Sequence, residues 1–190
     1  MKKNRLEAFS DGVIAILITI MVLDLKIPVG TDLSALTPLI PTFLSYLLSF
    51  IYLGIYWNNH HHLLQATEVV TGPVLWANLH LLFWLSLIPF TTGWIATGCF
   101  QPVPTALYGG ILLMSGVAYF ILSQALVRAH GRSSALAQAI GGDVKGKISV
   151  VLYAVAILLA FIESRVALAL YVLVAAMWLV PDRRIEKVLR

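Results

Sequence analysis

The sequence predicts an all-α, polytopic membrane protein with six transmembrane helices and no re-entrant selectivity-filter loop. Three observations predict it. Of the 190 residues, 59% are hydrophobic and 12% charged, against about 45–50% and about 25% in soluble domains. A chain of this length cannot hide so much apolar surface in one aqueous core, so lipid has to cover it. Apolar runs long enough to span recur along the whole chain, and the Lys and Arg residues lie almost entirely between them.

The first helix is predicted over 5–27 and stops at Pro28 and Gly30. It is not a secretory signal, because Glu7 and Asp11 interrupt it and no small-x-small cleavage site follows. The second, 38–65, is expected to open with Thr37 as N-cap and Pro38 in the first turn. The third covers 74–96, and the fourth covers 105–128 after Pro102 and Pro104. The fifth and sixth, 148–161 and 166–180, are short and joined by Glu163-Ser164-Arg165. No internal repeat divides the chain, so 1–190 reads as one six-helix domain.

Basic residues fix the orientation. With the N-terminus inside, the inner segments hold Lys2, Lys3, Arg5, Arg128, Arg132, Lys145, Lys147, Arg183, Arg184, Lys187 and Arg190, and the outer ones only Lys26 and Arg165. Eleven against two accounts for all 13 and places both termini in the cytoplasm. The net charge of +4 thus follows topology, and nucleic acid is not an expected partner. Cys99 has no second cysteine to pair with and reads as a small filler near a helix end. Gly141 to Gly146-Lys147 approaches a phosphate-binding loop, but Ile148 stands where Ser or Thr is needed and no strand precedes it. That segment reads as a connector.

Polar residues at membrane depth are costly and find partners inside the protein. Asp11 lies about two turns into the first helix, and Arg5 sits about 240° away around it. Asp11 is therefore expected to meet a donor on another helix. Trp57, Asn58, Asn59, His60, His61 and His62 end the second helix, and Asn78, His80 and Trp84 open the third. With Arg5, Phe9 and Ser10 they form an expected network tying the first three helices together. Three consecutive His fan about 100° apart and no His pair has i,i+4 spacing, so no metal site is expected. Neither Gly-x-Ser-x-Gly nor His-Glu-x-x-His occurs, so no catalytic residues and no enzyme are expected. A proton-coupled secondary transporter using Asp11 and His80 is the alternative function.

Around the first helix, Asp11 shares a face with Ala8, Ala15, Ile18 and Val22. The opposite face carries Phe9, Gly12, Val13, Ile16, Ile20, Leu23 and Ile27, with Thr19 at its edge. The helix is apolar all round, so periodicity leaves open whether the Ile/Leu stripe meets lipid, core or pore.

Arg5-x-x-x-Phe9-Ser10-Asp11, with Ile55-Tyr56-Trp57-x-x-His60-His61 and Pro89-Phe90, resembles the lysosomal potassium channel family, the transmembrane protein 175 family, including its prokaryotic members. The likeness covers about the first half of the chain. It implies a weakly selective cation channel, more permeable to potassium than to sodium, without the carbonyl filter of ordinary potassium channels. No Thr-Val-Gly-Tyr-Gly loop or Arg-rich voltage-sensing helix occurs. By the same resemblance the first helix lines the pore, Ile16, Ile20 and Leu23 form a hydrophobic constriction, and Thr19 supplies a polar ring. A chain with one six-helix repeat then works as a homotetramer, its Arg5–Asp11 network holding the pore helices in register. The expected partners are the lipid bilayer, further copies of the chain and potassium ions, with no cofactor.

Overall fold

The computed structural model describes residues 3–131, 134, 137 and 143–179. Their regular secondary structure is all helical. Helix α1 (Lys3–Met21) runs on as a 3₁₀ turn, Val22–Asp24. A second 3₁₀ turn, Leu33–Leu39, leads into α2 (Ile40–Gln65). Then come α3 (Gly72–Ser86), α4 (Ile88–Thr97), α5 (Pro102–His130), α6 (Val144–Leu159) and α7 (Ser164–Leu179).

Four stretches are long and apolar enough to cross a membrane: Lys3–Asp24, Leu33–Gln65, Gly72–Thr97 and Pro102–His130. Helices α6 and α7 have 16 residues each. At 1.5 Å per residue each reaches about 24 Å, short of a hydrocarbon layer of about 30 Å.

Several boundaries differ from expectation for local reasons. The first helix ends at Asp24 rather than residue 27. Thr37 and Pro38 lie in the 3₁₀ turn, and Pro41 occupies the first turn of α2. The third stretch is two helices, because Pro89 has no N–H to give the carbonyl of Leu85. The chain tightens there, Leu87 N donating to Trp84 O at 3.2 Å, and restarts at Ile88. Helix α6 begins at Val144, earlier than residue 148, because Asp143 caps it by accepting the N–H of Gly146 at 2.8 Å. Cys99 and Phe100 follow α4 in left-handed conformations, φ 45° and 61°. The connector over 129–146 lies partly, and the basic C-terminus wholly, outside the described residues.

Contacts fix which helix ends lie together. Lys3 Nζ donates to Gln65 O at 2.9 Å, Glu68 N to His130 Nε2 at 2.9 Å, and Trp178 Nε1 to Ser149 Oγ at 2.8 Å. The start of α1, the α2–α3 connection, the end of α5, the start of α6 and the end of α7 therefore share one end of the bundle. Lys3, Arg5, Arg128, Lys145 and Lys147 are all there, whereas Lys26 and Arg165 lie at the other end.

Helix α5 packs against α3, α4 and α6, and α7 closes over α6. Leu53, Leu81, Leu85, Leu112, Leu122 and Leu126 are fully buried. Tyrosines share this core. Tyr52 Oη donates to Tyr171 O at 2.6 Å and Tyr171 Oη to Thr105 O at 3.1 Å. Ser49 Oγ lies 2.6 Å from Thr92 Oγ1 and 3.0 Å from Tyr108 Oη. In an apolar surround each hydroxyl needs such a partner.

At Gly109, the Tyr171 side chain of α7 lies against the backbone of α5. A methyl group there would run into the Tyr171 hydroxyl and stand 2.6 Å from its Cζ and 3.0 Å from Ile157 Cγ1. Gly109→Ala should destabilise the protein by about 1–3 kcal/mol, the usual cost of overpacking. Thermal unfolding in detergent measures it, and an unchanged midpoint would contradict this packing.

Candidate functional site

Helix α1 divides into two faces, and burial places them differently from the sequence reading. The buried stripe is Leu6, Ser10, Ile14, Leu17 and Met21, set against α2, α3 and α4. Neither face measured from Asp11 coincides with it. Ala8, Ala15 and Val22, on the Asp11 face, are exposed. The stripe turns instead through Ser10, whose burial is complete.

The resemblance assigned Ile16, Thr19, Ile20 and Leu23 to a constriction, and all four lie on the uncovered side. Ile16 is 57% exposed, Ile20 47% and Leu23 70%. Thr19 is exposed as well, and its hydroxyl donates back to Ile16 O at 2.9 Å, with Ala15 O at 3.1 Å. Its proton is used on its own helix, so the oxygen presents lone pairs outward. The chain thus offers one continuous apolar strip with a single hydroxyl oxygen in it.

At the basic end, α1 is tied to α2 by three rungs spaced one turn apart. Lys3 meets Gln65 as above, Glu7 Oε1 lies 3.0 Å from His61 Nδ1, and Trp57 Nε1 donates to Asp11 Oδ1 at 3.0 Å. Positions 3, 7 and 11 running one way face 65, 61 and 57 running the other. The rungs brace each other. The Trp57 and His61 rings stack with centroids 5.9 Å apart and planes 18° apart, and Gln65 Nε2 lies 2.8 Å from His61 Nε2. The amide of Gln65 donates to that nitrogen, which leaves the His61 proton on Nδ1, aimed at Glu7.

A second, fully buried chain ties α1 to α2 through α3. Ser10 Oγ donates to Leu6 O at 2.9 Å, and Asn78 Nδ2 donates to Ser10 Oγ at 2.9 Å. Asn78 Oδ1 lies 2.7 Å from His60 Nε2. Since Nδ2 is committed to Ser10, Oδ1 accepts and His60 carries its proton on Nε2. His60 Nδ1 has no partner among the described residues.

The expected network is therefore present in part and divided differently. Ser10, Asp11, Trp57, His60, His61 and Asn78 belong to these two linkages. Arg5 and Phe9 are exposed, and no hydrogen bond or ion pair joins Arg5 to Asp11 among the described residues, as their angular separation foretold. His80 stands apart, accepting from Trp84 Nε1 at 2.9 Å within α3. Glu7, Gln65 and Lys3 were missed, although Glu7–Asp11 and Trp57–His61–Gln65 share the same i,i+4 spacing, the signal that could have found them. The Ser49, Thr92 and Tyr108 cluster was also missed.

Comparison with known proteins bears on this arrangement. The family profile described as "Endosomal/lysosomal potassium channel TMEM175" matches residues 5–89, which contain α1 from Arg5 on, α2, α3 and both linkages apart from Lys3. A potassium channel of Chryseobacterium sp. (strain P1-3) is 54% identical over 190 residues, 100% of this chain and 99% of that protein. An endosomal/lysosomal proton channel TMEM175 of Gallus gallus is 39% identical over 101 residues, 47% of this chain and 20% of that protein. A crystal structure of a lysosomal potassium-selective channel TMEM175 homolog from Chamaesiphon minutus superposes with a TM-score of 0.81 at 27% identity, covering 95% of this chain and 97% of that one. Relatedness over the full length, a shared fold and the family match across the α1–α3 linkages make this chain a member of the TMEM175 channel family.

Proposed function

We propose that this chain is the subunit of a potassium-permeable, weakly selective cation channel whose path is lined by α1. One observation carries the reading. The face of α1 opposite its buried stripe leaves Ile16, Thr19, Ile20 and Leu23 uncovered, while the two linkages hold that helix rigidly by its other side. A full-length relative named as a potassium channel supports it. One copy of α1 cannot enclose a path, so four copies surround an axis as a homotetramer. Six crossings per subunit, counting α3 and α4 as one and including α6 and α7, then place both ends on one side. The basic end faces the cytoplasm and the membrane is the plasma membrane.

The physics follows from the lining. Rings of Ile and Leu make a narrow apolar path that dewets and blocks ions when closed. Slightly widened, it favours the ion that sheds its hydration shell more cheaply, which is potassium. The Thr19 oxygens give a partly dehydrated cation something to touch.

Flux from vesicles holding the purified protein tests the reading. Potassium should leave faster than sodium down its own gradient, with no proton gradient imposed. Flux no greater than from protein-free vesicles would sink the channel. The alternative, a proton-coupled carrier acting through Asp11 and His80, requires saturable uptake driven by pH and abolished by Asp11→Asn. The separate bonding of Asp11 to Trp57 and of His80 to Trp84 speaks against it.

A further inference from the structure

A cleft of about 370 Å³ opens at the basic end between α2, α5 and α6, away from α1. That volume lies within the range of about 300–1,000 Å³ typical of ligand sites. Its walls are apolar and aromatic, among them Tyr56, Tyr119, Phe120, Val150 and Tyr153, and Trp178 stands at its edge. Phe120 is 53% exposed and Val150 41%, so the cleft opens sideways onto the outer surface of the helices. In a bilayer that surface meets acyl chains, and an apolar slot beside them gains dispersion contacts only when something apolar fills it.

Charge is confined to the mouth. Asp143 and Lys147 both line it, one helical turn apart. No ion pair joins them among the described residues. Asp143 is held in place, because its Oδ1 accepts the Gly146 N–H at 2.8 Å and its carboxylate lies over Gly146, where any side chain would displace it. Lys147 is exposed, and its ammonium has no hydrogen bond among the described residues. Its neighbour Lys145 is engaged elsewhere, on Met177 O at 3.3 Å and over the Trp178 ring. Among the described residues, the mouth therefore presents a negative charge held by Gly146 and a positive charge with no partner, above an apolar slot.

We infer that this cleft is a lipid site, holding an acyl chain of one phospholipid whose headgroup carries a phosphodiester and a primary ammonium. The phosphodiester pairs with Lys147 and the ammonium with Asp143. A purely anionic headgroup offers the Asp143 carboxylate hydroxyls at most, and no positive charge to pair with it. A trimethylammonium headgroup has no N–H to give it. Trp178, near the end of α7, fits an interfacial depth, where indole rings concentrate. The inference concerns the outer side of the bundle and stands whether or not the chain conducts.

Quenching of Trp178 fluorescence tests it. The full-length protein is placed in phosphatidylcholine vesicles containing increasing fractions of phosphatidylethanolamine brominated on its acyl chains. Quenching should saturate at a low mole fraction, exceed that from brominated phosphatidylcholine severalfold, and lose its saturable part in Trp178→Phe. Lys147→Gln and Gly146→Ala should each shift saturation to higher lipid fractions, and Lys147→Arg should restore it, with the fold checked by circular dichroism. Equal quenching by both headgroups would mean ordinary lipid contact and overturn the site. Equal quenching by brominated phosphatidylglycerol would overturn the role of Asp143. No quenching dependent on Trp178 would mean that lipid does not enter, and the proposal would be lost.

Discussion

Ile16→Asn should raise potassium flux about tenfold and erode the preference over sodium. The substituted side chain lies on the uncovered face of α1, one residue before buried Leu17, so the stripe that holds the helix stays intact. An amide in place of a branched alkyl group gives water a partner in the constriction and opposes dewetting, repeated once per subunit around the axis. A barrier lowered by about 1.4 kcal/mol suffices for tenfold. Vesicle flux with potassium or sodium inside measures both quantities, and the melting temperature should not move. Unchanged flux and an unchanged ion ratio would remove Ile16 from the path, even if the protein still conducts.

The largest loss of stability is expected from Asn78→Ala. It leaves the Nε2–H of buried His60 without an acceptor, on a ring whose other nitrogen already lacks a partner. Ser10 keeps its bond to Leu6 O, so the cost falls mainly on His60 and on the cavity left behind. Together these should destabilise the protein by about 2–4 kcal/mol. Asp11→Ala should cost less, about 1 kcal/mol, because its bond to Trp57 is solvent-accessible within the chain. Thermal unfolding of both variants in the same detergent decides the order. If Asp11→Ala proved the more damaging, the buried chain through Asn78 would not be the main tie between α1 and α3.

Asp11 draws attention first in the sequence, whereas the structure puts the buried bonds at Ser10 and Asn78. Asp11 stands out because a carboxylate in an apolar run is conspicuous, whereas Ser10 beside it is not. Rotation by one residue, about 100°, separates the buried group from the half-exposed one. Polar residues at membrane depth were legible as a set, since few alternatives exist for Trp57, His60 and Asn78 except one another. Which of them touch was not, because α1 is apolar all round and carries no strong asymmetry to fix its rotation. The apolar runs located the helices well, since span length needs only counting. They hid the break before Pro89, because proline is tolerated in membrane helices, and the early start of α6, because Lys145 and Lys147 look like loop. The constriction residues came from the resemblance alone, because a helix face turned to lipid, to a neighbouring subunit or to a pore carries the same apolar residue types in sequence.

The break between α3 and α4 gives α1 two separate mountings. Its inner half is pinned to α3 through Ser10 and Asn78, while Met21 at the outer end lies against Thr92 of α4, 3.8 Å from sulfur to hydroxyl oxygen. Thr92 also bonds Ser49 of α2, so the outer mounting includes a second helix. A tilt of α4 about Leu87 would then carry the Ile20–Leu23 level of α1 sideways while the Ser10 level stays still. The proline divides one span into two pieces at Leu87, and the shorter piece, α4, bears on the part of α1 where the bulky side chains are.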